Sequence, residues 1–132
     1  MTYKAPWWSV ELPRNWRGYP DAGCSTFRAV PALGVLQISA ARKDTGTVTD
    51  SEMKEFAEAR LPSEAGLENV QLGCFEGFTG MYRQNELFWQ EWWLRSGSLL
   101  LYATYNVVEG RQDSEQADIA RILDSLTNAG PD

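Results

Sequence analysis

A chain of 132 residues with 43% hydrophobic and 23% charged residues has the make-up of a soluble globular protein, and its length suits one domain over 1–132. A net charge of −6 would repel phosphate backbones and anionic headgroups, which sets aside general nucleic-acid or membrane-surface binding. The absence of histidine removes the commonest general base and metal ligand, while a 12% aromatic content with six tryptophans favours a β-rich core or a recognition surface.

The N-terminus lacks the unbroken apolar stretch of a signal peptide and no run of 18 apolar residues follows, so a cytoplasmic location without membrane insertion is expected. Cys24 and Cys74 are then expected as reduced thiols filling core positions in strand patterns. Residues 7 to 12 alternate, with Trp8, Val10 and Leu12 on one face, and Pro13 ends that strand. Residues 13 to 23 have loop chemistry and carry Arg14, Arg17 and Tyr19, side chains of the kind interfaces use. Strands over 24 to 30 and 35 to 42 follow, joined by a hairpin-length turn at 31 to 34.

Thr49 and Glu52 form a capping box, and Met53, Phe56, Ala57 and Leu61 then fall on one helical face before Pro62 stops the helix. A loop over 62 to 69 leads to Val70, Leu72 and Cys74, which alternate as a strand running on through a bend at Gly77 to Phe78 and Tyr82. Residues 83 to 86 turn into the hairpin of 87 to 107, whose two apolar runs flank Ser96-Gly97-Ser98 and read as central strands. A last helix, capped by Asp113 or Ser114, carries Ile119, Ile122, Leu123 and Leu126 and ends at 128 to 131. The order βββ-α-βββ(β)-α predicts an α+β fold, an antiparallel sheet of about six to seven strands flanked by two main helices.

No Gly-x-Ser-x-Gly, Walker A or dinucleotide fingerprint occurs, and the two cysteines have no metal-site spacing, so no catalytic residue, cofactor or metal is expected. Glu76 and Glu91 are the carboxylates placed nearest aromatic surface, where a small ligand or an acid–base enzyme would use them. In the strand after residue 86, Phe88, Trp92 and Leu94 make one apolar face, while Trp89 and Trp93 share the other with Glu91 and Arg95. Either a second helix layer covers that mixed face or it is an aromatic platform for a partner. Trp7, Arg14, Arg17, Tyr19, Trp89 and Trp93 are the candidate partner-binding residues. Charge is segregated as well: residues 1 to 43 hold six basic against two acidic residues, whereas 44 to 76 hold two against eight.

Leu12-Pro13 followed by Trp16, the capped helix after the third strand, the bend Phe75-Glu76-Gly77-Phe78, the strand end Leu101-Tyr102-Ala103-Thr104-Tyr105 and the closing helix with Ile122-Leu123-Asp124-Ser125-Leu126 together resemble the PsbP-like superfamily. That superfamily includes an extrinsic photosystem II protein, a Ran-binding nuclear import factor and bacterial single-domain proteins, some of which look like chaperones for secreted effectors. The resemblance implies an antiparallel sheet flanked by helices, a structural role for Trp16, and a non-catalytic role in binding other proteins. The expectation is therefore a cytoplasmic protein-binding module: a chaperone, adaptor or toxin-neutralising partner of an unidentified protein. The alternatives are a small-ligand protein or carboxylate enzyme using Glu76 or Glu91, and a self-associating subunit.

Overall fold

The computed structural model describes residues 1–63 and 65–129. In chain order they form β1 (Thr2–Lys4), β2 (Trp8–Glu11), β3 (Trp16–Asp21), β4 (Cys24–Ala29), β5 (Val35–Arg42), α1 (Asp50–Arg60), β6 (Glu68–Leu72) and β7 (Phe75–Gln84). There follow β8 (Leu87–Ser96), β9 (Leu99–Val108), a 3-10 turn (Gln112–Ser114), α2 (Gln116–Asp124) and β10 (Thr127–Asn128). The main sheet has seven antiparallel strands in the order β3-β4-β5-β9-β8-β7-β6, and β1-β2-β10 make a smaller sheet.

The β8–β9 hairpin sits where its composition requires. Bulky apolar residues on alternating faces can be buried only from both sides, and Gly97 at φ 60 takes the left-handed conformation that lets Ser96 pair with Leu99. One core cluster lies between the sheet, α2 and the small sheet, and includes Trp8, Trp16, Phe27, Trp92, Leu94 and Ile122. On the opposite face Val48, Met53, Ala57 and Trp93 form a second cluster under α1. The capping box fixes where α1 begins: Thr49 Oγ1 accepts from the Glu52 N–H at 3.2 Å, and Glu52 accepts from the Thr49 N–H at 2.9 Å.

Several local expectations are corrected. The strand at 8–11 does not join the main sheet but pairs with β1 and β10. The main-sheet position is taken by β3, from the segment read as loop. Its turn-type residues are tolerated because β3 is an edge strand, where Pro20 lacks an N–H without breaking a second ladder. Gly18 is also needed there, since a Cβ would lie 2.6 Å from the Phe27 ring and 2.9 Å from Tyr3. The strand expected to run from Val70 through Cys74 is two strands, reversing at Gly73 (φ 61), where the Leu126 carbonyl leaves no room for a Cβ. Cys74 is consequently exposed in a turn rather than in the core, and Cys24 is half-buried; both are free thiols. Phe56 is exposed, because the docked line of α1 is Met53 and Ala57, one row to its side. Glu115, not Asp113 or Ser114, stands at the N-cap position of α2, and its side chain makes no capping hydrogen bond. Of the residues expected to end that helix, Asn128 lies in β10, and Gly130 and Pro131 lie outside the described residues.

Candidate functional site: the open part of the sheet beside α1

Residues directly opposite in an antiparallel ladder point to the same face, so the register assembles side chains from distant parts of the chain into rows. On the α1 side, one row begins with Arg17 opposite Arg28 on β3 and β4 and, beyond the end of the β4–β5 ladder at Phe27–Leu36, continues as Val35, Asn106, Trp89 and Tyr82. The next holds Tyr19, Thr26, Gln37, Thr104 and Glu91. A third, with Tyr102, Trp93 and Phe78, lies beneath α1. That helix rests on β7 and β8. Among the described residues no helix covers β3, β4 and β5 on this side.

At the border between covered and open sheet, Glu91 is buried and both its oxygens are engaged. The Tyr82 hydroxyl donates to one. The Tyr102 hydroxyl donates to the other at 2.5 Å, and Arg60 Nε stands 3.5 Å from the same oxygen. The Arg60 guanidinium also lies 5.1 Å from the centre of the Tyr102 ring. Burial, reinforced by hydrogen bonding to Glu91, pushes both tyrosine hydroxyls well above the usual phenol range. The carboxylate thus ties β7, β9 and the last turn of α1 together. Glu76 is exposed and pairs with Arg95 at 2.9 Å, in a network that includes Asp50. The inner face has a similar tie: the Tyr105 hydroxyl and the Gly34 N–H donate to Glu115 at 2.8 and 3.0 Å, joining the β4–β5 turn to the start of α2.

No protein-family model matches the sequence, and no curated protein matches it. Solved structures do. Cyanobacterial PsbP (CyanoP) from Synechocystis superposes with a TM-score of 0.63 at 16% identity, over 97% of this chain and 91% of that one. The fold is PsbP-like. LpqN, involved in cell envelope biogenesis of Mycobacterium tuberculosis, shares the PsbP-like arrangement at a TM-score of 0.59 and 15% identity, over 91% of this chain and 82% of its own. A protein from Bacteroides thetaiotaomicron gives 0.71 at 16% identity over 98% of this chain, which spans about half of that protein's length, 48%. At these identities the likeness is one of fold.

Within the PsbP-like sheet, three of the six sequence candidates share the open face. Arg17 and Tyr19 are exposed on β3, and Trp89 is half-buried on β8, stacked on Tyr82 with ring planes 2° apart and centroids 6.2 Å apart. Arg14 borders them, in the turn before β3, and its carbonyl accepts from Arg17 at 2.8 Å. Trp93 does not belong to the face: it is buried under α1. Trp7 lies on the other side of the molecule, half-buried beneath the Arg42 guanidinium at 5.2 Å. Sequence reasoning missed Arg28 and Tyr82. Arg28 was legible as the outward residue between inward Phe27 and Ala29, whereas Tyr82 gains its place only from the register of β7. Across the sheet, a groove of about 400 Å³ lies between α2 and β6–β8, with Val70, Met81, Phe88 and Ile119 in its walls.

Proposed function

We propose that the chain is a non-catalytic protein-binding module, acting as a chaperone, adaptor or toxin-neutralising partner, which docks another protein on the open part of its sheet beside α1. The observation that carries this reading is the row ending in Trp89 and Tyr82, with Tyr19 alongside and no helix above β3 to β5. Tryptophan, tyrosine and arginine dominate the binding energy of protein interfaces, because each gives a large contact area with a polar tip. The stacked pair adds rigidity, so little side-chain entropy is lost when a partner lands on it. Use of Glu91 as an acid or base is disfavoured by its engaged oxygens, and Glu76 lies in an exposed ion-pair network. Two free thiols suit a reducing compartment such as the cytoplasm.

Affinity capture from the source cell tests this, using wild type, a Trp89→Ala/Tyr19→Ala variant and a Met81→Ala control altered on the opposite face. A protein recovered with wild type and control, and reduced about tenfold or more with the double variant, is the expected result. Retention by the double variant with loss in the control would place docking in the α2 groove and end this reading.

A further inference from the structure

Arg17 and Arg28 occupy directly opposed positions of the β3–β4 ladder, and both are exposed. Like charges opposite one another on a sheet are destabilising, since their Cβ atoms stand only about 5 Å apart. Neighbouring acids do not offset the repulsion: among the described residues neither guanidinium has an ion-pair partner. One Arg17 nitrogen is held by the Arg14 and Trp16 carbonyls at 2.8 and 2.9 Å, which fixes that side chain without neutralising it. A chain with a net charge of −6 therefore concentrates uncompensated positive charge on one open strand pair. Beside it, α1 carries Asp50, Glu52, Glu55 and Glu58 against Lys54 and Arg60, with Asp50 paired to Arg95 and Glu52 to Lys43. An arginine pair presents planar forks of donors that match carboxylate oxygens.

Resting on the proposed docking face, we infer that the partner is recognised through an acidic polypeptide segment, its carboxylates gripped by Arg17 and Arg28 and its apolar side chains seated on Trp89 and Tyr82. From Arg17 on β3 to Tyr82 on β7 is five strand spacings, about 24 Å, which an extended peptide of roughly seven residues spans and a small anion does not. The field sets the direction. Acidic residues are drawn to the β3–β4 end, so the segment lies with its acids over the arginines.

The test uses the full chain and a labelled short peptide with glutamates at one end and leucines at the other, followed by fluorescence anisotropy. A twin peptide with glutamines in place of glutamates, and inorganic phosphate as competitor, complete the set. Wild type is expected to bind the glutamate peptide at least about tenfold more tightly than the twin, with affinity falling as salt is raised. Arg28→Glu is expected to weaken binding at least about tenfold, while its thermal unfolding temperature stays level or rises, because an opposite pair replaces a like one. Equal binding of the two peptides, or binding unaffected by Arg28→Glu, overturns the inference. So does efficient displacement by phosphate alone, which would assign the pair to a small anion. Native capture lost with Trp89→Ala but untouched by Arg28→Glu would leave the docking face standing and remove the acidic partner.

Discussion

Glu91 is a carboxylate that the sequence offers for acid–base work and that the fold surrounds with hydrogen-bonding partners. A lone acid among tryptophans invites an acid–base reading, yet Tyr82, Tyr102 and Arg60 use both its oxygens. Glu91→Ala would strand two partly buried hydroxyls and is expected to cost about 3 kcal/mol; Tyr102→Phe should cost about 1 to 2 kcal/mol, both read by urea unfolding. The tyrosines also set an alkaline limit. Burial, then hydrogen bonding to Glu91 or Glu115, raises the hydroxyl pKa values of Tyr82, Tyr102 and Tyr105 above that of a free phenol. The folded chain thus holds these protons more tightly than the unfolded one. Stability from this source is complete below about pH 10 and falls as pH rises beyond it. Thermal unfolding followed between neutral and strongly alkaline pH should show that decline, with the three phenols ionising together with unfolding. Phenolate absorbance rising fully before unfolding would contradict the network.

At the level of elements, the parts that local chemistry dictates were legible. A capping box and a 3.6-residue apolar period define α1, and two apolar runs about a glycine turn define β8 and β9. Thr49→Ala should accordingly cost about 1 kcal/mol. Gly77 was singled out as a bend, whereas it lies in regular register within β7 and is needed for a tertiary reason: a Cβ there would lie 1.9 Å from the Trp93 carbonyl oxygen, a backbone atom that cannot yield. Gly77→Ala is expected to destabilise by about 3 kcal/mol or to prevent folding, measured by thermal unfolding. β3 was not legible. Its Gly18 and Pro20 are turn residues by propensity, and only an edge position with Phe27 and Tyr3 against it makes them strand residues. The division into β6 and β7 was missed because Gly73 and Cys74 preserve the apolar alternation that a continuous strand would show. Trp89 and Trp93 have the same alternation and opposite fates. Where α1 ends along β8 decides which is covered, and no local pattern encodes that.

Over the whole molecule, the charge segregation along the chain becomes a segregation in space. The basic first third supplies β3, β4 and β5, which make the open half of the sheet, while the acidic segment after residue 43 supplies α1 on the other half. Sequence counting could see the two blocks but not that the register sets Arg17 against Arg28, or that both share a face with Trp89. The PsbP-like sheet thereby has one face divided between an acidic helix and a basic, aromatic strand surface, and an opposite face sealed largely by α2 and the small sheet. Hydroxyl-radical footprinting of the chain, free and in complex with its captured partner, tests this account most directly, because strongly reactive side chains report on both faces. Tyr19, Tyr82 and Trp89 are expected to lose reactivity in the complex while Met81, exposed on the α2 side, keeps its own. Protection of Met81 with Tyr19 and Trp89 unchanged would contradict it.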